Sequence, residues 1–157
     1  MKDTLKPEDG LADGWESGEA AGLASPVYSA EEAQREWEAR QAARRSLLGF
    51  TLFTFPKYHP EPAHRLISAA LDRVVDGALR RLIIVAPPQH GKSELTSVRL
   101  PAYWLGRRPD DPVIISSYGA SLAKSKSRQA REIVGSPEYR ALFGDIRIRG
   151  DSHAIGH

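Results

Sequence analysis

The chain has 157 residues, 41% of them hydrophobic and 27% charged, which is the size and composition of one domain with its own core. The formal net charge of +2 is uneven, because the first 45 residues carry −4 and the rest +6, and a basic second part suits polyphosphate or nucleic-acid partners. The chain has no cysteine, which excludes disulfides and cysteine-based metal sites. It shows neither a secretory signal nor the roughly 18 apolar residues of a membrane span, so we expect a cytoplasmic protein without membrane association.

The N-terminal part of the chain divides into an acidic lead and a helix. Residues 1–28 are rich in glycine, alanine and serine and hold few large apolar side chains, so they are predicted to be disordered. Ser29 and Glu32 have the spacing of a capping box, which predicts a helix over residues 29–48. The helix is rich in alanine and charge, which leaves two interpretations open: an exposed arm, or an ordinary surface helix packed through Trp37.

Residues 49–157 are predicted to form a second unit, in which helices and strands alternate. The aromatic and proline-bearing segment 49–62 is predicted to be extended, because residues before proline avoid the helical region. A helix follows from Glu61 or Pro62 to Gly77, with apolar side chains at the spacing of a buried face. The runs 82–86 and 113–118 are short and continuously apolar, which is typical of strands buried on both faces of a parallel sheet.

Further helices are predicted from Gly91 to about Leu100, from Ser121 to Val134 and over the segment 137–143. Pro101 is expected to end or kink the first of them. The order helix, strand, helix, strand, helix describes a βαβ unit with a parallel sheet, so the predicted fold class is α/β.

The segment APPQHGKS follows the first predicted strand and matches the loop G-x-x-x-x-G-K-[ST] at all but its first position. In such a loop, backbone N–H groups surround the phosphates, a lysine reaches the β and γ phosphates, and a hydroxyl takes one position on Mg²⁺. Gly91, Lys92 and Ser93 supply the backbone freedom, the ammonium and the hydroxyl. Ala86 stands at the strand exit, where a methyl group can be accommodated.

The loop predicts a site for ATP and Mg²⁺. Two consecutive prolines at 87–88 remove two N–H groups, so the phosphate contacts are expected further along the loop. The alternative is a plain strand-turn-helix connection with an exposed lysine. The predicted phosphate-binding residues are Gln89, His90, Gly91, Lys92 and Ser93, and Ser93 is also the predicted Mg²⁺ ligand.

Four segments in this order resemble the large subunit of phage terminase, the ATP-driven motor that packages viral DNA into a procapsid. They are DGALRRLIIVAPPQHGKSEL, AYWLGRRPDDPVIISSYGASLA, KSKSRQAREIVGSPEY and ALFGDI, and the resemblance covers residues 50–148. It implies a P-loop NTPase-type parallel sheet with flanking helices, followed in the family by a metal-dependent nuclease. It also implies double-stranded DNA, the terminase small subunit, the portal and further copies of the chain as partners, in a bacterial host cell.

The resemblance also suggests residues on the adenine side of the nucleotide. In related motors, the segment before the first ATPase helix often supports the base, which here indicates Tyr58 and His64. Tyr58 has the alternative of packing beside prolines, and His64 that of an ordinary histidine on a helix surface.

Two further groups are candidates for DNA contact or for coupling ATP state to DNA. Ser117 and Tyr118 end the second predicted strand, and α/β proteins place ligand contacts at such ends. A plain strand end is the alternative. Lys124, Arg128 and Arg131 fall at i, i+4 and i+7 on one helix face, where they would contact DNA phosphates or remain a solvated charged face.

An ATPase of this kind also needs an apolar strand that ends in carboxylates, one for Mg²⁺ and one to orient the attacking water. Asp110 and Asp111 precede their apolar run, and Asp145 and Asp151 follow none. We therefore expect an N-terminal portion of a terminase, without catalytic carboxylates or nuclease domain, that hydrolyses ATP poorly or not at all alone. The alternatives are a non-catalytic prophage remnant or assembly and DNA-binding module, and another helicase-like P-loop ATPase.

Overall fold

The computed structural model describes residues 29–88 and 90–144 of the chain. The predicted disordered lead, Gln89, Asp145 and Asp151 lie outside these residues. Within them the regular structure is helical. The elements are α1 (Ala30–Arg45), α2 (Leu47–Thr54), α3 (Pro62–Val75), α4 (Lys92–Glu94), a π-helical segment (Leu95–Arg99), α5 (Leu100–Arg107), α6 (Ala120–Val134) and α7 (Pro137–Phe143).

The predicted α/β fold with a P-loop NTPase-type parallel sheet is wrong for the described residues, which contain no β-strand. Residues 82–86 and 113–118 run between helices as non-helical segments, but no backbone–backbone hydrogen bond joins them to each other. They are also not buried on both faces, since Ile83, Val85 and Ile114 are 88%, 92% and 91% exposed. A continuous apolar run becomes a strand only where a neighbouring strand completes its backbone hydrogen bonds, and none does so here.

The predicted helix over 29–48 is two helices. The capping box is confirmed, because the Glu32 N–H donates to Ser29 Oγ (3.2 Å) and the Ser29 N–H donates to Glu32 Oε2 (2.8 Å). The chain then turns extended at Ser46, whose Oγ accepts the Gly49 N–H (3.0 Å) and starts α2. The prediction that 49–62 is extended is therefore wrong as far as Thr54. Gly49 permits this packing, since a Cβ there would lie 2.3 Å from the Ala42 carbonyl oxygen.

The helix α1 combines features of both interpretations that its sequence allows. Every residue before Ala43 is exposed or only partly buried, including Trp37, which is 57% exposed. Ala43 itself is fully buried against the core. The first turns of α1 thus resemble an arm, and the packing is made by its last turn and not through Trp37.

An aromatic cluster forms the centre of the core. Phe50 of α2 lies 5.4 Å from the Tyr103 ring of α5 and 6.1 Å from the Tyr139 ring of α7, measured between ring centroids. Phe143 lies 6.0 Å from Phe50 and closes the cluster. Polar groups inside it are paired, since the Tyr139 hydroxyl donates to the Ala102 carbonyl (3.0 Å). The helices therefore pack on one another around this cluster. One of its rings, Phe50, belongs to the segment 49–62 that was predicted to be extended.

The helical run that follows the loop passes through Pro101 without ending. Proline lacks an N–H and crowds the carbonyl four residues earlier, which disfavours a regular α-helix there. The wider π-helical segment Leu95–Arg99 stands immediately before it and adjusts the backbone, and α5 continues to Arg107. Pro101 thus marks an irregularity and not a helix end.

The remaining helices agree with their sequence patterns. The helix α3 begins at Pro62 and ends before Gly77, which has a left-handed φ of 79°. Both α6 and α7 lie where they were predicted, and Ser136 caps α7 by accepting the Tyr139 N–H (3.2 Å). Among the described residues, no helix has the length and apolar character needed to span a bilayer.

Candidate functional site

The 86–93 loop connects the extended segment 82–86 to the start of a helical run. Gly91 has φ 65° and ψ −1°, the left-handed conformation that glycine adopts without steric cost. The helix begins at the next residue, Lys92, so the backbone reverses direction at Gly91 and the first helical amides follow at once. The sequence placed the flexible glycine and the helix start correctly.

Lys92 folds back over the loop. Its Nζ donates to the carbonyl oxygens of Ala86 (3.1 Å) and Pro87 (3.0 Å), six and five residues earlier. These bonds use two of the three N–H groups of the ammonium and hold both ends of the loop together. The lysine is partly buried and is not the freely exposed side chain of a plain turn. A positive charge with one remaining donor is thus fixed across the loop.

Further donors stand at the start of the helical run. The first N–H groups of a helix have no carbonyl partner within it, and here they belong to residues next to Gly91. Within the described part of the chain, neither the Gly91 N–H nor the Ser93 hydroxyl makes a hydrogen bond, and Ser93 is exposed. The helical run continues unbroken from Lys92 to Arg107, so its dipole presents partial positive charge to the loop.

His90 and His64 hold the loop from two sides. The His90 ring turns back on the loop, with Nδ1 2.8 Å from the Pro88 carbonyl oxygen. His64, in the first turn of α3, is only 8% exposed, so the interpretation of a surface histidine is wrong. Its Nε2 lies 2.9 Å from the His90 carbonyl oxygen, and its Nδ1 accepts the Glu61 N–H (3.1 Å).

Tyr58 lies beside His64, with 5.5 Å between the ring centroids, and also packs near Phe55. Its hydroxyl is buried without a hydrogen-bond partner among the described residues. Burial raises the pKa of this phenol above its ordinary value, and the Glu94 carboxylate acts in the same direction. The structure thus brings His64 to the loop, while Tyr58 packs between His64 and Phe55 and against the core.

A buried arginine behind the loop was not found from the sequence. Arg99 Nε donates to Glu94 Oε1 (2.7 Å), its Nη1 donates to Thr54 Oγ1 (2.9 Å), and its guanidinium lies 5.0 Å from the Phe55 ring centre. The Glu94–Arg99 spacing of five residues matches the π-helical repeat and not the α-helical one, so the usual pattern search misses it. Through Arg99, this network joins Glu94, in the first turn of the helical run, to Thr54 at the end of α2.

The predicted DNA and coupling residues lie on another part of the surface. Ser117 and Tyr118 are exposed, Tyr118 to 97%, immediately before α6. Lys124 and Arg128 lie on α6, and Arg128 forms an exposed ion pair with Glu132 (3.8 Å). Arg131 is partly buried and has an interaction partner. No hydrogen bond or ion pair within 29–88 and 90–144 links Lys124 or Arg128 to the loop.

The N–H donors and the ammonium of the loop suit a triphosphate. For a metal ion, the loop offers one side chain, the hydroxyl of Ser93. No group of three or more histidine or carboxylate side chains that could hold a metal is present in the part of the chain the structure describes. Mg²⁺ commonly keeps several water ligands and binds through one or two protein groups plus substrate phosphates. Ser93 is the residue to which the loop pattern assigns that role.

Comparison with protein-family models, with curated proteins and with solved structures gives no match for this chain. The assignment of a function therefore rests on the loop geometry and on the ordered segments of the sequence.

Proposed function

We propose that the 86–93 loop binds the triphosphate of ATP with Mg²⁺, and that the chain is the ATP-binding part of a viral DNA-packaging terminase large subunit in the cytoplasm of a bacterial host. One observation carries the nucleotide site: the Lys92 ammonium is anchored on the Ala86 and Pro87 carbonyls, beside a left-handed Gly91. This arrangement fixes a cation on the loop that also holds the Gly91 N–H, which has no partner among the described residues, and both suit a polyanion.

The charges and donors assign a role to each loop residue. Lys92 supplies a charge-assisted hydrogen bond to the phosphates through its remaining N–H, and such bonds are roughly twice as strong as neutral ones. The N–H groups from Gly91 to Ser93 add donors at the positive end of the helical run. Ser93 offers its hydroxyl to Mg²⁺, which neutralises phosphate charge when bound. The chain's own contribution is to bind and orient the triphosphate.

The packaging role is supported by the order of the four terminase-like segments and by the cationic face of α6. Lys124 and Arg128 lie on α6 outside the part of its surface that Ala130 and Val134 bury in the core. Cationic side chains on one helix face suit the phosphate backbone of double-stranded DNA. Family resemblance adds the terminase small subunit, the portal and further copies of the chain as partners.

A second candidate function is a non-catalytic assembly module, and the exposed apolar segments favour it. Ile83, Val85 and Ile114 are almost fully exposed on an extended backbone that lacks backbone hydrogen bonds to a neighbour. Such segments form contacts with other chains readily. This function does not require nucleotide, so ATP binding separates the two candidates.

The test of the nucleotide site is Mg-ATP binding to the purified chain and to its Lys92→Ala variant. The variant loses a hydrogen bond between charged groups, which corresponds to roughly ten- to hundredfold weaker binding. Lys124→Ala, which removes an equally charged but distant lysine, serves as the matched control and is expected to bind ATP like the unmodified chain. Equal ATP affinity of the Lys92→Ala variant and the unmodified chain would remove the basis for the proposal.

The DNA partner is tested by the salt dependence of double-stranded DNA binding. Replacing Lys124, Arg128 and Arg131 with glutamine removes three positive charges from the face proposed to bind DNA. The slope of log K against log salt should become shallower by about 0.9 for each phosphate that is no longer neutralised. The control replaces Arg35 and Arg45 on α1, which are also exposed, and should leave the slope unchanged. An unchanged slope in the α6 variant would assign these residues to a solvated face.

A further inference from the structure

We propose that His64 is a positioning residue for the 86–93 loop, which orients the peptide unit between His90 and Gly91 so that the Gly91 N–H faces the bound phosphate. The inference rests on the proposed function, because it assigns the task of His64 at that same site. It differs from the adenine-side role that the sequence suggested, since the His64 ring contacts the loop backbone through Nε2.

The hydrogen bonds of His64 define which of its two ring nitrogens carries the proton. The Glu61 backbone N–H can only donate, so Nδ1, 3.1 Å away, accepts and carries no proton. In neutral imidazole the proton then resides on Nε2, which donates to the His90 carbonyl oxygen at 2.9 Å. Both ring nitrogens are thus satisfied in one tautomer, and the ring is buried in that arrangement. His64 therefore joins the first turn of α3 to the loop by a directed pair of bonds.

Because the peptide unit is planar, a hydrogen bond that fixes the His90 carbonyl also fixes the direction of the Gly91 N–H. The bond between His90 and Gly91 is trans, and in a trans peptide unit the C=O and N–H groups point in opposite directions. Because the His90 carbonyl points to His64, the Gly91 N–H points to the opposite side of the loop. That N–H has no partner among the described residues, so it is available to an anion. Release of the carbonyl would allow the peptide unit to rotate and turn the donor away from the anion.

Direct contact between the ring and Gly91 supports the same conclusion. A Cβ placed on Gly91 would lie 2.7 Å from His64 Nε2, closer than real Cβ contacts. Gly91 therefore meets two demands at once, a φ of 65° and space for the imidazole. The ring and the glycine fit each other, which defines the position of the loop relative to α3.

The test compares two substitutions that each keep one half of the imidazole. In His64→Gln, the amide N–H₂ at the end of the side chain reaches the position of Nε2 and can donate to the His90 carbonyl. In His64→Asn, the shorter side chain can accept the Glu61 N–H in place of Nδ1 but cannot reach His90. We expect Mg-ATP binding roughly three- to tenfold weaker in His64→Asn, the loss of one hydrogen bond, and largely restored in His64→Gln. Thermal unfolding of both variants shows whether they remain folded.

The outcomes separate this inference from the proposed function. If the unmodified chain binds Mg-ATP and Lys92→Ala weakens binding roughly ten- to hundredfold, the phosphate site stands. Equal affinities of His64→Asn and the unmodified chain would then overturn the role of His64 alone. Equal weakening in His64→Gln and His64→Asn would also overturn it, because a merely structural role predicts no rescue by the variant that keeps the donor. Failure of Lys92→Ala to change binding would instead overturn the site itself.

A measurement on the unmodified chain covers the case in which a variant does not fold. Nitrogen-15 NMR of the imidazole rings distinguishes the two neutral tautomers. The signals of His64 are expected to show the proton on Nε2 both without and with Mg-ATP. A proton on Nδ1 in either condition would contradict the bond to the His90 carbonyl and would overturn the proposal.

Discussion

The helical core and the region of the 86–93 loop differ in how completely their groups are paired. In the core, Tyr103 and Tyr139 are fully buried, and their hydroxyls donate to carbonyl oxygens of neighbouring segments. Before the loop Val85 is almost fully exposed, as is Tyr118 before α6, and no backbone–backbone hydrogen bond between described residues joins the extended segments 82–86 and 113–118. The tyrosine hydroxyls of the core thus find their partners within the chain, although Ser68 Oγ is buried without a hydrogen bond among the described residues, whereas the extended segments leave apolar surface open to solvent. Exposed apolar surface of this kind is where another molecule can add contacts.

The largest difference in the free energy of unfolding is expected between alanine substitutions at a buried and at an exposed tyrosine. Tyr103→Ala removes a ring at the centre of the aromatic cluster and leaves a cavity, which should lower the free energy of unfolding by about 3–5 kcal/mol. Tyr118→Ala removes the same side chain from a position that is 97% exposed and should change it by less than about 0.5 kcal/mol. Denaturant unfolding of both variants measures the difference. Similar losses would show that the segment before α6 packs as firmly as the core.

An intermediate effect on the free energy of unfolding is expected from alanine substitutions at two glycines. Gly91→Ala forces a side chain into a left-handed conformation, which costs about 1–2 kcal/mol, and places its Cβ 2.7 Å from His64 Nε2. Gly119→Ala is the control, since Gly119 has φ −145° and no atom lies within 4 Å of the added Cβ. We expect Gly119→Ala to stay within about 0.5 kcal/mol of the unmodified chain.

The same two variants are also expected to differ in nucleotide binding. Gly91→Ala should also weaken Mg-ATP binding, because the substitution moves the loop, while Gly119→Ala should leave affinity unchanged. Calorimetric titration and thermal unfolding measure the two quantities separately. Normal stability and normal affinity in Gly91→Ala would indicate that the left-handed conformation at residue 91 is not required.

The smallest effect is a pH dependence in the core. Burial raises the pKa of the Asp72 carboxyl above its ordinary value, although the Leu47 N–H that it accepts (2.7 Å) acts in the opposite direction. A carboxyl with a raised folded-state pKa binds its proton more tightly in the folded protein. Its protonation therefore favours folding below the unfolded pKa of about 4, and that contribution is lost as the pH rises through the folded value.

Asp72→Asn should remove this dependence while keeping an oxygen acceptor for the Leu47 N–H. The free energy of unfolding of the variant, relative to that of the unmodified chain, is expected to increase from pH 3 toward pH 7. Unfolding by urea across this pH range measures it. A relative stability of Asp72→Asn that falls with rising pH would show that the ionised carboxylate is favoured in the fold.

Local sequence signals were sufficient for several elements. The Ser29–Glu32 capping box and Pro62 mark helix starts correctly, because capping depends on groups within one turn. The start of the helical run at Lys92, directly after a left-handed Gly91, followed from the loop motif in the same way. The break at Ser46 was missed, because it depends on the close approach of α1 and α2.

The sequence did not predict the features that depend on contacts between distant residues. The runs 82–86 and 113–118 have the composition of buried strands, but strand formation requires hydrogen bonds from another segment. The buried state of His64 and the Arg99 network likewise depend on residues far away in the sequence, at 90 and 54. For the candidate site, the sequence located the loop, and the structure added the side chains that hold it.

The sequence indicated the starts of α1 and α3, the positions of α6 and α7, and the chemical types in the loop: a flexible glycine, a cation and a hydroxyl in consecutive positions. The folded chain alone shows that helices and not a sheet form the core of the described residues, that Lys92 folds over its own loop, and that His64 is buried against it. These two groups of features differ in the range of the interactions that produce them. Capping and turn formation are satisfied within a few residues, whereas burial and long-range hydrogen bonds depend on which segments meet in the folded chain.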